Sequence, residues 1–248
     1  MSLQLLPDDF DAQITAAVQT FWGSRSSAQV LNSQGGTRDS VIGGNNLAAF
    51  AKLIHTVALH CGLPDSSVHT RRRQTVLPGF YRPTKTWDTL VIHERRLIAV
   101  FEFKSHVGSF GNNFNNRSEE AIGSAADLWV AHERHAFQLE KLAEPDPRPP
   151  FVGWLMLLED CGDSTAPRTV SEPHYRAFPE FQGASYADRY RILSERLMER
   201  QLYNAAAVVL SDKVSGLASG AFRSLSEPTS IRNLFRSFAG HVLAAITT

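Results

Sequence analysis

Trp87-Asp-Thr-Leu-Val-Ile-His-Glu-Arg-Arg-Leu-Ile-Ala-Val-Phe-Glu-Phe-Lys104 decides the fold of this 248-residue chain. Aliphatic and aromatic side chains fill both ends, and a charged break, His93-Glu94-Arg95-Arg96, divides them. That is the pattern of two apolar strands joined by a polar turn. Folding about Arg95 sets Ile92 against Ile98, Leu90 against Val100 and Asp88 against Glu102, with Lys104 on the same face by the strand period of two. A two-residue turn at Glu94–Arg95 instead sets Asp88 against Phe101 and sends the two carboxylates to opposite faces. No Asn-Gly or Asp-Gly fixes a tight turn here, so the residues alone leave the register open.

In the first register, two carboxylates and an ammonium meet at the open end of the hairpin. Directly opposed side chains sit roughly 5 Å apart at Cβ, and carboxylates that close repel unless a cation lies between them. One or two carboxylates, with waters and phosphate oxygens, suit Mg²⁺. A neighbouring lysine can position a water, help deprotonate it, or steady charge developing at phosphorus. Glu-x-Lys at a strand end is common and by itself weak. Its setting is less common, because Val91, Leu97, Ala99, Phe101 and Phe103 make the odd-numbered face as apolar as the even one. Strands covered on both sides seldom carry uncompensated carboxylates.

Outward from the hairpin, 43% hydrophobic and 20% charged residues are ordinary for a globular protein. The length suits one domain over residues 1–248. Formal net charge is zero, which excludes bulk basicity as a nucleic-acid signal. From Asp65 to Arg117, however, nine basic residues stand against four acids, a local excess that favours a phosphate-facing surface. Cys61 and Cys161 match neither a zinc module nor a disulfide framework. No signal peptide and no apolar run of membrane-spanning length is visible, so the expected location is the cytoplasm.

A first helix is expected from Phe10 to Trp22 with Gly23 as its stop, then a long loop from Ser24 to Gly44, then a helix capped by Asn45 or Asn46 and ending at Gly62. Leu63–Thr86 reads as irregular and carries Arg71-Arg72-Arg73 and Gly79-Phe80-Tyr81-Arg82, arginines interleaved with aromatics that can track a nucleic-acid backbone or simply be solvated. After Lys104, Gly111-Asn-Asn-Phe-Asn-Asn-Arg117 reads as a loop entering a helix at Ser118. Asparagine both donates and accepts, which suits base edges, adenine above all. His132 and His135 are spaced to share a metal but read better as surface residues, and Glu172, His174 and Glu180 read as turn chemistry. Phe151–Asp160 and Ala205–Asp212 are further strands, Ser185–Tyr203 a helix, and Ser226-Glu227-Pro228 opens a last helix.

Helix, hairpin with Asp then Glu-x-Lys, helix, strand is the order of the PD-(D/E)xK nuclease core. Trp87-Asp88, Glu102-Phe103-Lys104, the block Phe110–Ala125 with its Gly-Asn-Asn-Phe-Asn-Asn-Arg, and Leu157-Leu-Glu-Asp-Cys161 resemble more specifically the XhoI family of type II restriction endonucleases. Leu77-Pro-Gly-Phe-Tyr-Arg-Pro83, Pro179-Glu-Phe and Gly183-Ala-Ser-Tyr-Ala fit the same family. One departure from the wider superfamily is Trp87, where a proline usually precedes the aspartate.

The resemblance implies an α/β (α+β) restriction-endonuclease-like core, a central mixed β-sheet flanked by helices. It implies a bacterial homodimer that cuts double-stranded DNA at CTCGAG leaving 5′ overhangs, alongside a methyltransferase acting on the same site. A palindrome read by two identical subunits matches C2 symmetry. It further implies that Asp88 and Glu102 hold Mg²⁺, with the Phe103 carbonyl as a third protein ligand, and that Lys104 orients or helps deprotonate the attacking water. Glu119 or Glu120 are the candidates for a fourth acid. Base readout is assigned to Asn112, Asn113, Asn115, Asn116 and Arg117, and phosphate contact to Arg71, Arg72, Arg73, Arg82 and Lys85. The competing readings are a structure-selective repair or recombination nuclease and a DNA-binding protein that does not cleave.

Overall fold

The computed structural model describes residues 4–32, 47–138 and 148–247. Among these residues the strands are β1 (Val68–His69), β2 (Val76–Pro78), β3 (Thr84–Thr86), β4 (Thr89–His93), β5 (Arg96–His106), β6 (Phe151–Glu159), β7 (Ala205–Ser211) and β8 (Arg223–Ser224). Six of them form one mixed sheet in the order β1-β4-β5-β6-β7-β8, while β2 and β3 form a separate ribbon. The β5–β6 and β6–β7 pairs are parallel and the outer pairs antiparallel. This is the expected mixed sheet flanked by helices.

The hairpin combines both registers that the sequence allows. Glu94 and Arg95 form a two-residue turn with φ of 49° and 68°, the backbone of a tight primed turn, and His93 faces Arg96 and Ile92 faces Leu97. The register then shifts, so that Val91 faces Ala99, Leu90 Val100 and Thr89 Phe101. Ile98 is the extra residue of a β-bulge. Continued by one residue, the second register sets Asp88 abreast of Glu102, and the Asp88 N–H donates to the Phe101 carbonyl at 3.2 Å.

Parity along the strands sorts the core into two layers. Ala99, Phe101, Phe103, Leu155, Leu157, Ala207 and Val209 pack on the side of α1 (Phe10–Asn32), α2 (Ala48–His60) and the C-terminal helix Ile231–Ile246. Val100, Trp154, Met156, Leu158, Val208 and Leu210 pack on the side of α3 (Phe110–Glu133) and Tyr186–Glu199. A sheet covered on both faces explains the absence of polar alternation in β6 and β7. Among the described residues, α4 (Gly162–Thr165) and α6 (Lys213–Ser219) are short helices, so Tyr186–Glu199 is α5 and Ile231–Ile246 is α7.

Several boundaries depart from the sequence reading. Helix α1 continues through Gly23 to Asn32. Glycine costs about 1 kcal/mol against alanine inside a helix, and the burial of Phe21 and Trp22 beside it, with the Trp22 indole donating to Ser211 Oγ at 3.0 Å, outweighs that. The rest of the expected loop, and the Asn45 and Asn46 caps, lie outside the described residues. Leu63–Thr86 is not wholly irregular, since β1, β2 and β3 lie within it. Helix α3 begins at Phe110, not Ser118. Gly108 and Ser109, at φ of 68° and 48°, turn the chain off the end of β5, and the Gly108 N–H is held by Glu159 Oε2 at 3.0 Å.

Candidate active site

The hairpin end gathers a compact cluster of charge. Glu102 is 4% exposed. Its Oε1 accepts from Lys104 Nζ at 2.5 Å. Its Oε2 lies 3.1 Å from Lys85 Nζ without the alignment of a hydrogen bond, so this buried oxygen is unsatisfied. Lys85 reaches it from β3 and also sits 4.5 Å above the Trp87 ring. On the far side of Lys104, Glu120 Oε2 stands 3.8 Å from Nζ and accepts from the Arg117 guanidinium at 2.6 Å. Asp88 is fixed differently, its Oδ2 accepting the Phe103 N–H at 2.7 Å.

These contacts set the electrostatics. Burial and the charge of Glu102 push the Asp88 carboxyl up from 3.8 to about 6, against the Phe103 N–H, Lys104 and Lys85, which pull it down. Burial alone would lower Lys104, but the Glu102 carboxylate, Asp88 and Glu120 outweigh it and hold the ammonium above its ordinary value. Lys104 is therefore charged at neutral pH. The arrangement has the donor set for a hard divalent cation: two close carboxylates, one with an unsatisfied buried oxygen and the other resisting ionisation. Among the described residues, no group of three His, Cys, Asp or Glu side chains is placed to hold a metal ion. Water and substrate oxygens would have to complete a shell built on Asp88 and Glu102.

Two clefts flank the cluster. Glu102, Lys104, Lys85, Arg82, Arg117 and Glu120 line one of ≈ 410 Å³. Asp88 and Phe103 border the other, an open groove of ≈ 1000 Å³ walled by Lys52, His55, Thr70 and Arg72. The two neighbouring carboxylates thus border different clefts.

The expected DNA contacts divide. Lys85 and Arg117 belong to the charge cluster itself. Arg72 borders the large groove, and Arg71 and Arg73 are exposed beside it between β1 and β2. Arg82 is tied to Asp127 through Nε at 2.7 Å, which gives it a structural partner. Asn112, Asn113, Asn115 and Asn116 ride the first two turns of α3 instead of a loop. Asn113 Nδ2 donates to the Ser109 carbonyl at 3.0 Å, while Asn115 and Asn116 are exposed. Among the described side chains, Asn113, Asn115 and Asn116 do not line the cleft of Glu102 and Lys104.

Sequence reasoning named Glu120 only as one of two candidates and missed Asp127, whose carboxylate is 3% exposed. It accepts the Phe80 and Tyr81 N–H groups, each at 2.8 Å, as well as Arg82. Burial works against its ionisation, but the two N–H donors and the guanidinium more than offset that, and the carboxyl sits below its ordinary value. Its only trace in the sequence is an acid among Ala125, Leu128 and Ala131, with no basic residue three or four positions away. The hydroxyl of Tyr190 meets buried His106 Nδ1 at 2.7 Å, another pairing too distant in sequence to be read there.

Comparison with known proteins gives the family. A family model described as restriction endonuclease XhoI matches residues 27–224. The type II restriction enzyme XhoI of Xanthomonas vasicola is 46% identical over 195 residues, 77% of this chain and 76% of that one. The type II restriction enzyme BstVI of Geobacillus stearothermophilus is 40% identical over 213 residues, 84% and 91% of the two chains. The type II restriction enzyme AbrI of Azospirillum brasilense is 44% identical over 181 residues, 71% and 78%. No solved structure matches the chain. Asp88, Glu102 and Lys104 all lie within the matched span, and the chain belongs to the XhoI family of type II restriction endonucleases.

Proposed function

We propose that the chain hydrolyses double-stranded DNA at CTCGAG, with Mg²⁺ as cofactor, leaving 5′ overhangs. The observation that carries the chemistry is the convergence of Asp88, Glu102 and Lys104 at the end of β5. Asp88 and Glu102 hold the cation, with the Phe103 carbonyl as the third protein ligand. The cation supplies positive charge at the phosphate and lowers the pKa of water. Lys104, held as an ammonium, orients the attacking water and steadies the charge that builds on phosphorus. Attack in line expels the 3′ oxygen. Glu120, through Arg117 and Lys104, is a positioning residue.

Specificity for CTCGAG rests on the identity to the XhoI enzyme over three quarters of both chains. We place base readout on α3, where Asn112, Asn113, Asn115, Asn116 and Arg117 follow directly from the catalytic strand, and phosphate contact on Arg71, Arg72, Arg73, Arg82 and Lys85. A palindrome calls for a homodimer, and an active restriction enzyme for a methyltransferase that marks the same site. Among the described residues no helix is long and apolar enough to cross a membrane, and we assign the enzyme to the bacterial cytoplasm, where its DNA substrate lies.

The test is digestion of a plasmid carrying a single CTCGAG, beside a plasmid with one base pair of that site changed, with Mg²⁺ or with EDTA. Linear product is expected only from the intact site with Mg²⁺. Cutting of both plasmids would keep the nuclease and overturn the specificity, and cutting in EDTA would overturn the metal.

A further inference from the structure

The β2–β3 ribbon displays an aromatic pair that the hydrolytic site does not use. Between Pro78 and Thr84, Phe80 is 48% and Tyr81 72% exposed, and the two rings meet edge to face at 4.9 Å and 89°. Exposed aromatics on a loose loop would be unremarkable, but this loop is held. Asp127 of α3, itself buried, accepts the backbone N–H of both residues and the Arg82 guanidinium. Gly79 permits the approach, since a Cβ there would stand 2.6 Å from Asp127 Oδ2 and 2.7 Å from the Arg82 carbonyl. A buried carboxylate thus fixes the backbone beneath two rings that remain in water. Such preorganisation serves binding by removing the ordering cost in advance.

We propose that Tyr81, propped by Phe80, is a wedge that inserts into a base step of the bound duplex. The occupant is argued from the surroundings. The ribbon that carries the rings also carries Arg82 and Lys85 into the catalytic cleft, where Lys104 and Arg117 join them opposite Glu102, Glu119 and Glu120, so the tip adjoins a cleft whose cations outnumber its carboxylates by one and which a bound metal ion would make more positive. Tyr81 stands four positions before Lys85, whose ammonium is 3.1 Å from Glu102. At no more than about 3.5 Å per residue the Tyr81 backbone is within about 14 Å of the Lys85 backbone, or about four base steps at 3.4 Å. A ring at that distance reaches the bases of a six-base-pair site or its immediate flank. Apolar side chains that enter between bases unstack the step and bend the duplex, exposing surface the protein then covers. This inference rests on the assignment of DNA as substrate.

The test uses full-length protein carrying Glu102→Gln, so that DNA stays intact, and duplexes with CTCGAG. Unstacking is read by 2-aminopurine at each adenine and by permanganate at each thymine within four base pairs of the cut. Brightening and thymine reactivity are expected at one step. Addition of Tyr81→Ala should abolish both and weaken binding about ten-fold, within the range of one base–aromatic stack, while Tyr81→Trp should restore them. Tyr81→Ala binding within two-fold of its parent, or tight binding by the parent with no unstacked step, would overturn the wedge and leave DNA as the substrate. Failure of the parent to bind any duplex would overturn both. Loss of self-association by Tyr81→Ala in sedimentation, with DNA contacts unchanged, would make the tip a contact between copies and overturn it also.

Discussion

Asp127→Ala isolates the device that holds the ribbon. The substitution leaves the Phe80 and Tyr81 N–H groups without their 2.8 Å acceptor and strips Arg82 of its 2.7 Å partner. Hydrogen bonds to a charged group contribute about 1.5–3 kcal/mol each. Phe80, Tyr81 and Arg82 lie at the surface and regain water, so the three bonds sum to less than their face value, about 3 kcal/mol in total. Two readouts separate the consequences. Urea denaturation should show a loss of about 3 kcal/mol, and amide hydrogen exchange at Phe80 and Tyr81 should accelerate at least about ten-fold, the factor for 1.4 kcal/mol per bond. Asp127→Asn, which keeps one acceptor oxygen, should fall between the two. Unchanged exchange at Phe80 and Tyr81 in Asp127→Ala would refute the reasoning, because among the described contacts no other acceptor takes these amides.

Three further perturbations follow from the site. Lys104→Ala should lower the cleavage rate with Mg²⁺ by about 10²–10³-fold while duplex binding changes less than ten-fold; an equal loss in both would make Lys104 a binding residue only, as single-turnover rates would show. The Asp88 carboxyl sits at about 6 in the fold against an ordinary 3.8, so the folded state binds the proton more tightly. The stability this gives is present below about pH 4 and is lost as pH rises through 6, up to about 3 kcal/mol. Metal-free Asp88→Asn should accordingly gain on the wild type between pH 4 and pH 7 in urea melts, and a pH-independent difference would contradict the shift. Gly79→Ala should cost about 1–3 kcal/mol through overpacking against Asp127 and Arg82, and a neutral result in the same melts would show that the loop can give way.

The core was largely legible because its strands announce themselves twice. β5, β6 and β7 are largely apolar on both faces, and Glu102 and Lys104 interrupt β5 near its C-terminal end. The register of the hairpin was not legible: a Glu94–Arg95 turn and a bulge at Ile98 cancel each other's offset, and neither residue carries the glycine or asparagine that would advertise it. Helix α3 was placed eight residues late because asparagines score as loop formers. Here Phe110 packs against His106 and Tyr186, with ring centroids 4.6 and 5.7 Å away, and Phe114 lies 5.0 Å from Tyr190, so tertiary contacts pull the asparagine run into the helix. Asp127 escaped assignment, and the contacts that Glu120 and Lys85 make with the charge cluster were not legible, for a common reason. Each acts on a residue distant in sequence, across elements whose packing no local period encodes.

The central claim is that Asp88, Glu102 and Lys104 form the hydrolytic centre. Its most direct test is single-turnover cleavage of a CTCGAG duplex by Glu102→Gln, with duplex binding measured on the same preparation. The neutral amide keeps the shape of Glu102 but gives up the charge that pairs with Lys104 and that would hold the cation. The predicted result is a cleavage rate about 10³-fold below wild type at saturating Mg²⁺, with duplex affinity within a few-fold of wild type. Cleavage within ten-fold of wild type would contradict the account and move the chemistry to another part of the molecule.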